Sequence, residues 1–304
     1  MAGRENRAFT WAFHLAKLII VEIAETTESV RVRISAARAE GKKIGLIPTM
    51  GALHSGHISL IEAAAGQCDY IVVSIFVNPT QFGAGEDFEK YPRRLNTDLE
   101  ICAANGVDLV FAPSADEMYK SENLTWVTVE KLTEPLCGRF RPGHFRGVTT
   151  VCAKLFNIVT CDVAFFGWKD AQQAIVIKRM VEDLKLPLEI VVCPTVREPD
   201  GLAVSSRNRY LSGEQREQAA SIYKALQKCE QMVRAGVKEA EVVIKEMRDI
   251  LTASRGIEIQ YIDIVDVDTL EGLERVEGRA LVAVAVKIGS TRLIDNIFVE
   301  TVGR

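Results

Sequence analysis

Short apolar runs alternate with longer segments of helical spacing through the first two thirds of the chain. "KKIGLIPT" (42–49), "DYIVVSIFV" (69–77), "VDLVFAP" (107–113), "DVAFFG" (162–167) and "PLEIVVCPTV" (187–196) read as strands. Several are near-continuous and β-branched, the pattern of strands covered on both faces. Between them, "HISLIEAAAGQ" (57–67), "RRLNTDLEICAANG" (93–106), "FRGVTTVCAKLFNIVT" (145–160) and "KDAQQAIVIKRMVEDL" (169–184) carry helical spacing. The alternation predicts an α/β fold, a Rossmann-like parallel sheet with helices on both faces.

The pattern changes near residue 200. "SGEQREQAASIYKALQKCEQMVRAG" (212–236) opens on a Ser-x-x-Gln capping box and runs as a long amphipathic helix, and "KEAEVVIKEMRDILTAS" (238–254) follows as a second. "IEIQYIDIVDV" (257–267) and "ALVAVAVKIGSTRLIDNIFVE" (280–300) then read as strands of a small sheet. This predicts a domain over 18–200 and a smaller C-terminal α+β domain over 201–304, joined through "REPDGLAVSSRNRYLS" (197–212). A polar, basic connection of that kind suits a segment that touches ligand. Residues 1–17 read as a disordered extension before a first strand near 18–23; the opening is short on acids, yet lacks the apolar core and small-residue site of a targeting segment.

Composition narrows the function. With 304 residues, 48% hydrophobic and 26% charged, the chain has the make-up of a globular protein with a substantial core. A net charge of -4 argues against nucleic acid as a partner, since phosphate backbones select basic surfaces. No apolar run approaches the ~20 residues that cross a bilayer. Seven scattered cysteines without a C-x-x-C pair fit the reducing conditions of the cytoplasm.

Candidate chemistry gathers where strands hand over to helices. In an open α/β sheet, ligands bind at the carboxyl ends of the strands. "LIPTMGALHSGHISL" places His54 and His57 at the first such junction, with Gly51 and Gly56 permitting close backbone approach. Free N–H groups at the start of a helix and two imidazoles together suit a phosphate, and a protonated ring would add charge. Taken alone, the pair also fits metal ligation or ordinary structural histidines, although zinc needs three or four ligands. "FVNPTQ" puts Asn78, Thr80 and Gln81 at the next strand end, suited to a hydroxylated substrate or simply to a turn. "CGRFRPGHFRG" clusters Arg139, Arg141 and Arg146, either a solvated basic loop or a partner for carboxylate or phosphate. "FFGWKDAQQ" repeats the strand-to-helix logic at Gly167, with Lys169 as a point charge and Gln173 one turn on; "VSSRN" adds Ser205, Ser206 and Arg207 as a candidate lid.

In combination, "PTMGALHSGH", "FVNPTQFGAGEDFEKYPR", "RPGHFRGV", "FFGWKDAQQ", "PTVREPDGLAVSSRNRYL" and the closing "LIDN" resemble the pantoate–β-alanine ligase family of the H-x-G-H nucleotidylyltransferases, over roughly 18–304. The resemblance implies a two-step reaction: pantoate attacks the α-phosphate of ATP, and β-alanine then displaces AMP to form pantothenate. It implies an ATP site made of Met50, Gly51, Ala52, Leu53, His54, Ser55, Gly56 and His57, completed by Gly167, Trp168, Lys169, Asp170, Val196, Val204, Ser205, Ser206 and Arg207. His57 would be the proton donor, and His54, Lys169 and Arg207 would share the catalytic electrostatics. Gln81 and Gln173 would hold pantoate, with Gln81 bordering β-alanine and Arg141 near the pantoate end. Asp98 matches an acidic position linked to Mg²⁺, and the family implies a cytoplasmic homodimer.

Three positions depart from the family's usual pattern. Trp168 stands where Glu or Gln is usual, Val204 where Met is usual, and Ser55 at a position often acidic. A nucleotidyltransferase acting on a phosphorylated acceptor and a silent nucleotide-binding module are the competing readings. The first requires extra basic residues in the acceptor pocket instead of Gln81 and Gln173. The second leaves His57, Lys169, Asp170 and Arg207 without a purpose.

Overall fold

The computed structural model describes residues 21–120 and 122–301, so the extension expected over 1–17 and the start of the strand expected at 18–23 lie outside it. The first unit runs β1 (Glu22–Ala24), α1 (Thr27–Ala39), β2 (Ile44–Thr49), α2 (Ser55–Ala65), β3 (Tyr70–Ile75), α3 (Leu95–Ala104) and β4 (Leu109–Phe111). The one-turn helices α4 (Ala115–Met118) and α5 (Cys137–Phe140) follow, then α6 (His144–Val159), β5 (Val163–Gly167), α7 (Ala171–Asp183) and β6 (Glu189–Cys193). Every pairing is parallel, in the order β1-β4-β3-β2-β5-β6.

The continuous apolar strands are explained by two cores. On one face Leu46, Val72, Leu109, Phe111, Ala164 and Phe166 pack with Val30 and Ile34 of α1, Leu155 of α6 and Ile177 of α7. Their neighbours along the same strands, among them Ile47, Val73, Val110 and Phe165, point the other way, against Leu60 and Ile61 of α2 and Cys102 of α3. Successive strand residues face opposite sides, so a strand covered twice has no polar position to spare. From β2 the chain steps outward through β3 and β4, then returns to β5 on the opposite side. The crevice at this reversal opens between the carboxyl ends of β2 and β5, where the two candidate phosphate junctions lie.

The C-terminal segment forms α8 (Gly213–Arg234), α9 (Ala240–Ala253) and the antiparallel strands β7 (Ile257–Asp266), β8 (Arg279–Ile288) and β9 (Thr291–Glu300). The Ser212 hydroxyl accepts from the Gln215 N–H, and the Gln215 side chain accepts from the Ser212 N–H, which closes the capping box at the start of α8. Here too an apolar strand serves two cores. Val282, Val284 and Val286 of β8 pack under α8 and α9, whereas Leu281, Ala283 and Ala285 join the core of the first unit. The small sheet therefore has one face on its own helices and one on the Rossmann-like body.

One contact fixes a strand-end loop directly. α6 lies so close to the turn at Pro79–Gln81 that a Cβ on Gly147 would sit 2.4 Å from the Thr80 carbonyl oxygen and 2.7 Å from the Gln81 nitrogen. Gly147→Ala gains up to ~1 kcal/mol in helix propensity and loses more, about 1–3 kcal/mol, by overpacking. The expected outcome is a lower melting temperature by circular dichroism; an increase would mean that the helix and turn can separate freely.

Candidate active site

The first junction is a loop braced from below. β2 ends at Thr49, whose hydroxyl donates to the Ser74 carbonyl and accepts from the Gly51 N–H. Gly51 and Ala52 then take positive φ values of 80° and 51°. A side chain at Gly51 would strike the Asp98 carboxylate, 2.9 Å from its Cβ position. Asp98, on α3, accepts the Ala52 and Leu53 N–H groups at 2.9 and 2.8 Å, one on each oxygen. Two such bonds offset part of the cost of burying the charge, which still raises the Asp98 pKa, and hold the loop in its left-handed conformation.

The histidines are locked by the helix start they belong to. His54 is the N-cap of α2, with its Nδ1 accepting the Gly56 N–H at 3.2 Å. The His57 Nδ1 accepts the His54 N–H at 3.3 Å, and the ring centroids are 4.1 Å apart. A backbone N–H only donates, so each Nδ1 is the bare nitrogen and each Nε2 carries the proton. Burial lowers the pKa of His54 to about 4, helped by the charge of Lys169. Burial, then the neighbouring His54, lowers that of His57 to about 3. The two rings are thus a pair of neutral Nε2–H donors and bring no added charge.

The second junction is held from the C-terminal sheet. Asn296 on β9 donates through Nδ2 to the carbonyls of Trp168 and Lys169, at 2.9 and 3.0 Å. Next to it, the buried Asp295 takes Arg197 in a two-pronged pair at 2.6 and 3.1 Å. The connecting segment continues into Ser205, Ser206 and Arg207. Arg207 is paired on both Asp87 oxygens at 2.9 Å, and the Ser206 hydroxyl lies 3.4 Å from the Tyr91 hydroxyl. Among the described residues, Lys169 has only a looser ion-pair neighbour, Asp170, at 3.5 Å.

At the other end of the cleft, Asn78 organises the amides. Its Nδ2 donates to the Gln81 Oε1 at 3.1 Å and to the Gly147 carbonyl, and its Oδ1 accepts from Thr80 and Tyr119. The Gln81 Nε2 meets only the soft sulfur of Met50, at 3.1 Å, which leaves a donor to offer. Arg141 is not open to an incoming carboxylate: Glu86 holds it bidentately at 2.6 and 2.7 Å. Burial would raise the Glu86 pKa, but the hydrogen bonds and charge of Arg141 outweigh it and hold it at about 2. His144 bridges the two groups, accepting from Arg141 on Nε2 at 3.0 Å and donating from Nδ1 to the Gln81 carbonyl at 2.8 Å. Burial, then Arg141, lowers its pKa to about 3.

One cavity of about 210 Å³ brings together Met50, His54, His57, Gln81, Arg141, Lys169, Asp170, Gln173, Ser205, Ser206 and Arg207. Gln172, one residue before Gln173, is instead buried and ties down the 132–137 loop. Other expected residues lie outside its lining. Ala52 and Leu53 are buried, with their N–H groups taken by Asp98. Ser55 is exposed at the start of α2, and the Gly56 N–H serves His54. Val196 and Val204 pair with each other, the Val204 N–H donating to the Val196 carbonyl at 3.0 Å. Gly167 ends β5 behind the cavity.

Two expected residues lie outside the cavity lining. Asp98 is buried and gives each oxygen to one loop N–H, and among the described residues no cluster of three or more His, Cys, Asp or Glu side chains could hold a metal. Trp168 does not reach the cavity: its ring packs edge-on against Phe298 of β9 at 4.7 Å, so the departure from the family pattern sits at the junction between the units. The sequence reading passed over Glu86, Asp87, His144, Asp295 and Asn296. Their partners are far away in the chain, so no spacing rule exposes them; the only local hints were "GED" and "LIDN", both within stretches that carried the family resemblance.

Comparison with known proteins follows the same lines. The sequence model of the family described as Pantoate-beta-alanine ligase matches residues 22–298. The pantothenate synthetase of Moorella thermoacetica is 56% identical over 280 residues, 92% of this chain and 99% of that protein. That of Thermoanaerobacter pseudethanolicus is 53% identical, covering 90% of this chain and 97% of its own. Among solved structures, the pantothenate synthetase of Thermus thermophilus superposes with a TM-score of 0.87 at 42% identity, over 91% of this chain and 99% of that one. The Francisella tularensis pantoate-beta-alanine ligase, described as complexed with beta-gamma ATP and beta-alanine, gives 0.75 at 36% identity, over 91% and 97%.

Three buried neutral histidines make stability depend on pH. Their folded pKa values of about 4, 3 and 3 lie below the unfolded value of 6.5, so the unfolded chain binds more protons in between. Their cost is absent above pH 6.5 and grows as pH falls toward 4, by up to about 1.4 kcal/mol per pH unit for each group. Thermal unfolding should show the melting temperature falling through this window. His144→Asn should flatten that fall; an unchanged slope would mean that His144 is protonated in the folded protein.

Proposed function

The chain belongs to the pantoate–β-alanine ligase family, and on that premise we propose how its cleft works and which residues carry the reaction. The protein is an ATP-using ligase that forms pantothenate from pantoate and β-alanine. The observation that carries the reading is the single cavity in which neutral histidines, an incompletely paired lysine and two amides meet.

In the first step the pantoate carboxylate oxygen attacks the α-phosphorus of ATP, and the bond to the β-phosphate breaks with its electron pair leaving on pyrophosphate. His54 and His57 offer Nε2–H groups to the oxygens that gain charge there, in a site where preorganised donors act strongly. Lys169 supplies the cation. An arriving phosphate favours a proton on the rings, but a second proton would sit on an Nδ1 that already accepts a backbone N–H, so both rings act as neutral donors through Nε2. In the second step the amine of β-alanine attacks the acyl carbon and AMP leaves. Gln81 and Gln173 suit the pantoate hydroxyls, since an acid lacking them would leave buried amides unpaired.

The cleft disfavours an acceptor that carries its own phosphate. The arginine at the amide end, Arg141, is already neutralised by Glu86. Mg²⁺ belongs to the proposal as an ion that arrives on the ATP phosphates, because Asp98 is committed elsewhere. Residues 201–304 act as the closing unit over a water-labile adenylate, with the division from residues 18–200 near residue 200. The cytoplasm is the proposed compartment, supported by seven unpaired cysteines and by a need for ATP. No helix among the described residues is long and apolar enough to cross a membrane. A homodimer, as the family resemblance implies, should show twice the 33.6 kDa chain mass by light scattering; a monomer would remove that part of the proposal.

The mechanism is tested by isotope exchange. Pantoate-dependent exchange between pyrophosphate and ATP should proceed without β-alanine, and AMP should be released only as the amide forms. His57→Ala and Lys169→Ala should each lower turnover by about 10²-fold or more with the circular dichroism spectrum unchanged. A near-wild-type rate in either would remove that residue from the phosphate site.

A further inference from the structure

A second and larger cavity, of about 760 Å³, adjoins the first and shares Arg141, Lys169, Asp170, Ser205 and Arg207 with it. The two differ in what lies beyond that shared wall. His54, His57, Gln81 and Gln173 line only the smaller. Gln260, Lys287, Thr291 and Arg292 of the C-terminal sheet, with Ser290 in the turn between β8 and β9, line only the larger.

Lys287 and Arg292 stand directly opposite each other on β8 and β9. Like charges in that position repel and destabilise the pair. Arg292 is oriented by its Nε bond to the Gln260 Oε1, at 2.7 Å, at the irregularity in β7 between Ile259 and Tyr261. Lys287 makes no ion pair or side-chain hydrogen bond among the described residues, although Glu258 lies opposite it on β7. A repelling pair of cations, one aimed and one uncommitted, at the wall of a cavity is an arrangement that an anion stabilises.

We infer that Lys287 and Arg292 form a second anion subsite that receives the diphosphate leaving group as it departs from the α-phosphorus. This rests on the reading of the smaller cavity as the place where the adenylate forms. With the α-phosphorus at the histidines, the shared wall of Lys169, Ser205 and Arg207 is the way out, and the larger cavity is where that way leads. Arg141 and Arg207 are held by Glu86 and Asp87, whereas Lys287 and Arg292, like Lys90 on the same wall, have no carboxylate partner among the described residues and can take a departing dianion or trianion.

The test uses the whole enzyme and inorganic pyrophosphate as probe. Lys287→Met should raise the inhibition constant of added pyrophosphate, and its KM in ATP exchange, by about tenfold, the loss of one charge-assisted contact. The KM for pantoate should move by less than about twofold, and Lys287→Arg should restore pyrophosphate binding. Equal pyrophosphate inhibition in wild type and Lys287→Met would overturn the inference, as would a change confined to the KM for ATP, which would assign the pair to the bound nucleotide's tail. Equal losses toward pantoate and pyrophosphate would also overturn it by marking Lys287 as structural. If wild type itself shows no pyrophosphate exchange, the adenylate reading fails instead, and direct titration of pyrophosphate into wild type and Lys287→Met still decides the subsite.

Discussion

The short stretch of β9 holding Asp295 and Asn296 sets the geometry of everything near the cleft. Asn296 spans the carbonyls of Trp168 and Lys169, and Asp295 grips Arg197 where the connection to the second unit begins. The pair is almost wholly out of water on the carboxylate side, where a charge without its partner costs about 3–5 kcal/mol. Lys169 and the segment that carries Ser205–Arg207 are thereby referred to the same two residues. Around them the cores are continuous, since one face of the small sheet packs into the core of the parallel one. The proposed closure of the second unit would move it against a shared apolar surface.

Within that frame, charge is distributed sparingly. An enzyme that brings a carboxylate to a triphosphate needs positive potential, but uncompensated buried cations are costly. The chain answers with paired arginines, neutral imidazoles and one looser lysine. Arg141 and Arg207 keep carboxylate partners on adjacent residues of one loop, Glu86 and Asp87. His54, His57 and His144 give up charge and keep directed N–H groups, each fixed by a donor that cannot accept. Backbone strain at Gly51 and Ala52 is borne by Asp98 on α3, so the precision of the first junction comes from a buried residue outside the cavity lining.

What the sequence revealed follows from the range of each interaction. The parallel strands, α2, α3, α6, α7 and the capping box of α8 are written in local periodicity and local hydrogen bonding, and they were legible. Four-residue α4 and α5 are shorter than any repeat and left no trace. In the cleft, His54, His57, Gln81, Lys169, Gln173 and Arg207 could be picked out because they stand at strand ends or in the linker. Their charge states could not, because these depend on burial and on partners such as Asp87, 120 residues from Arg207. The same holds for the surroundings of Asp98 and Trp168: the carboxylate braces a loop and the ring packs on Phe298, through partners distant in the chain.

The orientation of the two imidazoles also bears on which metals can trouble the protein. A transition metal binds histidine through a lone pair, and at His54 and His57 both lone pairs point into the peptide chain. Exposing one to zinc or copper would require moving a proton to Nδ1, where it would confront another N–H and break the start of α2. Two histidines three residues apart, ordinarily an invitation to adventitious zinc, are here turned away from it, with only their N–H edges left for a ligand.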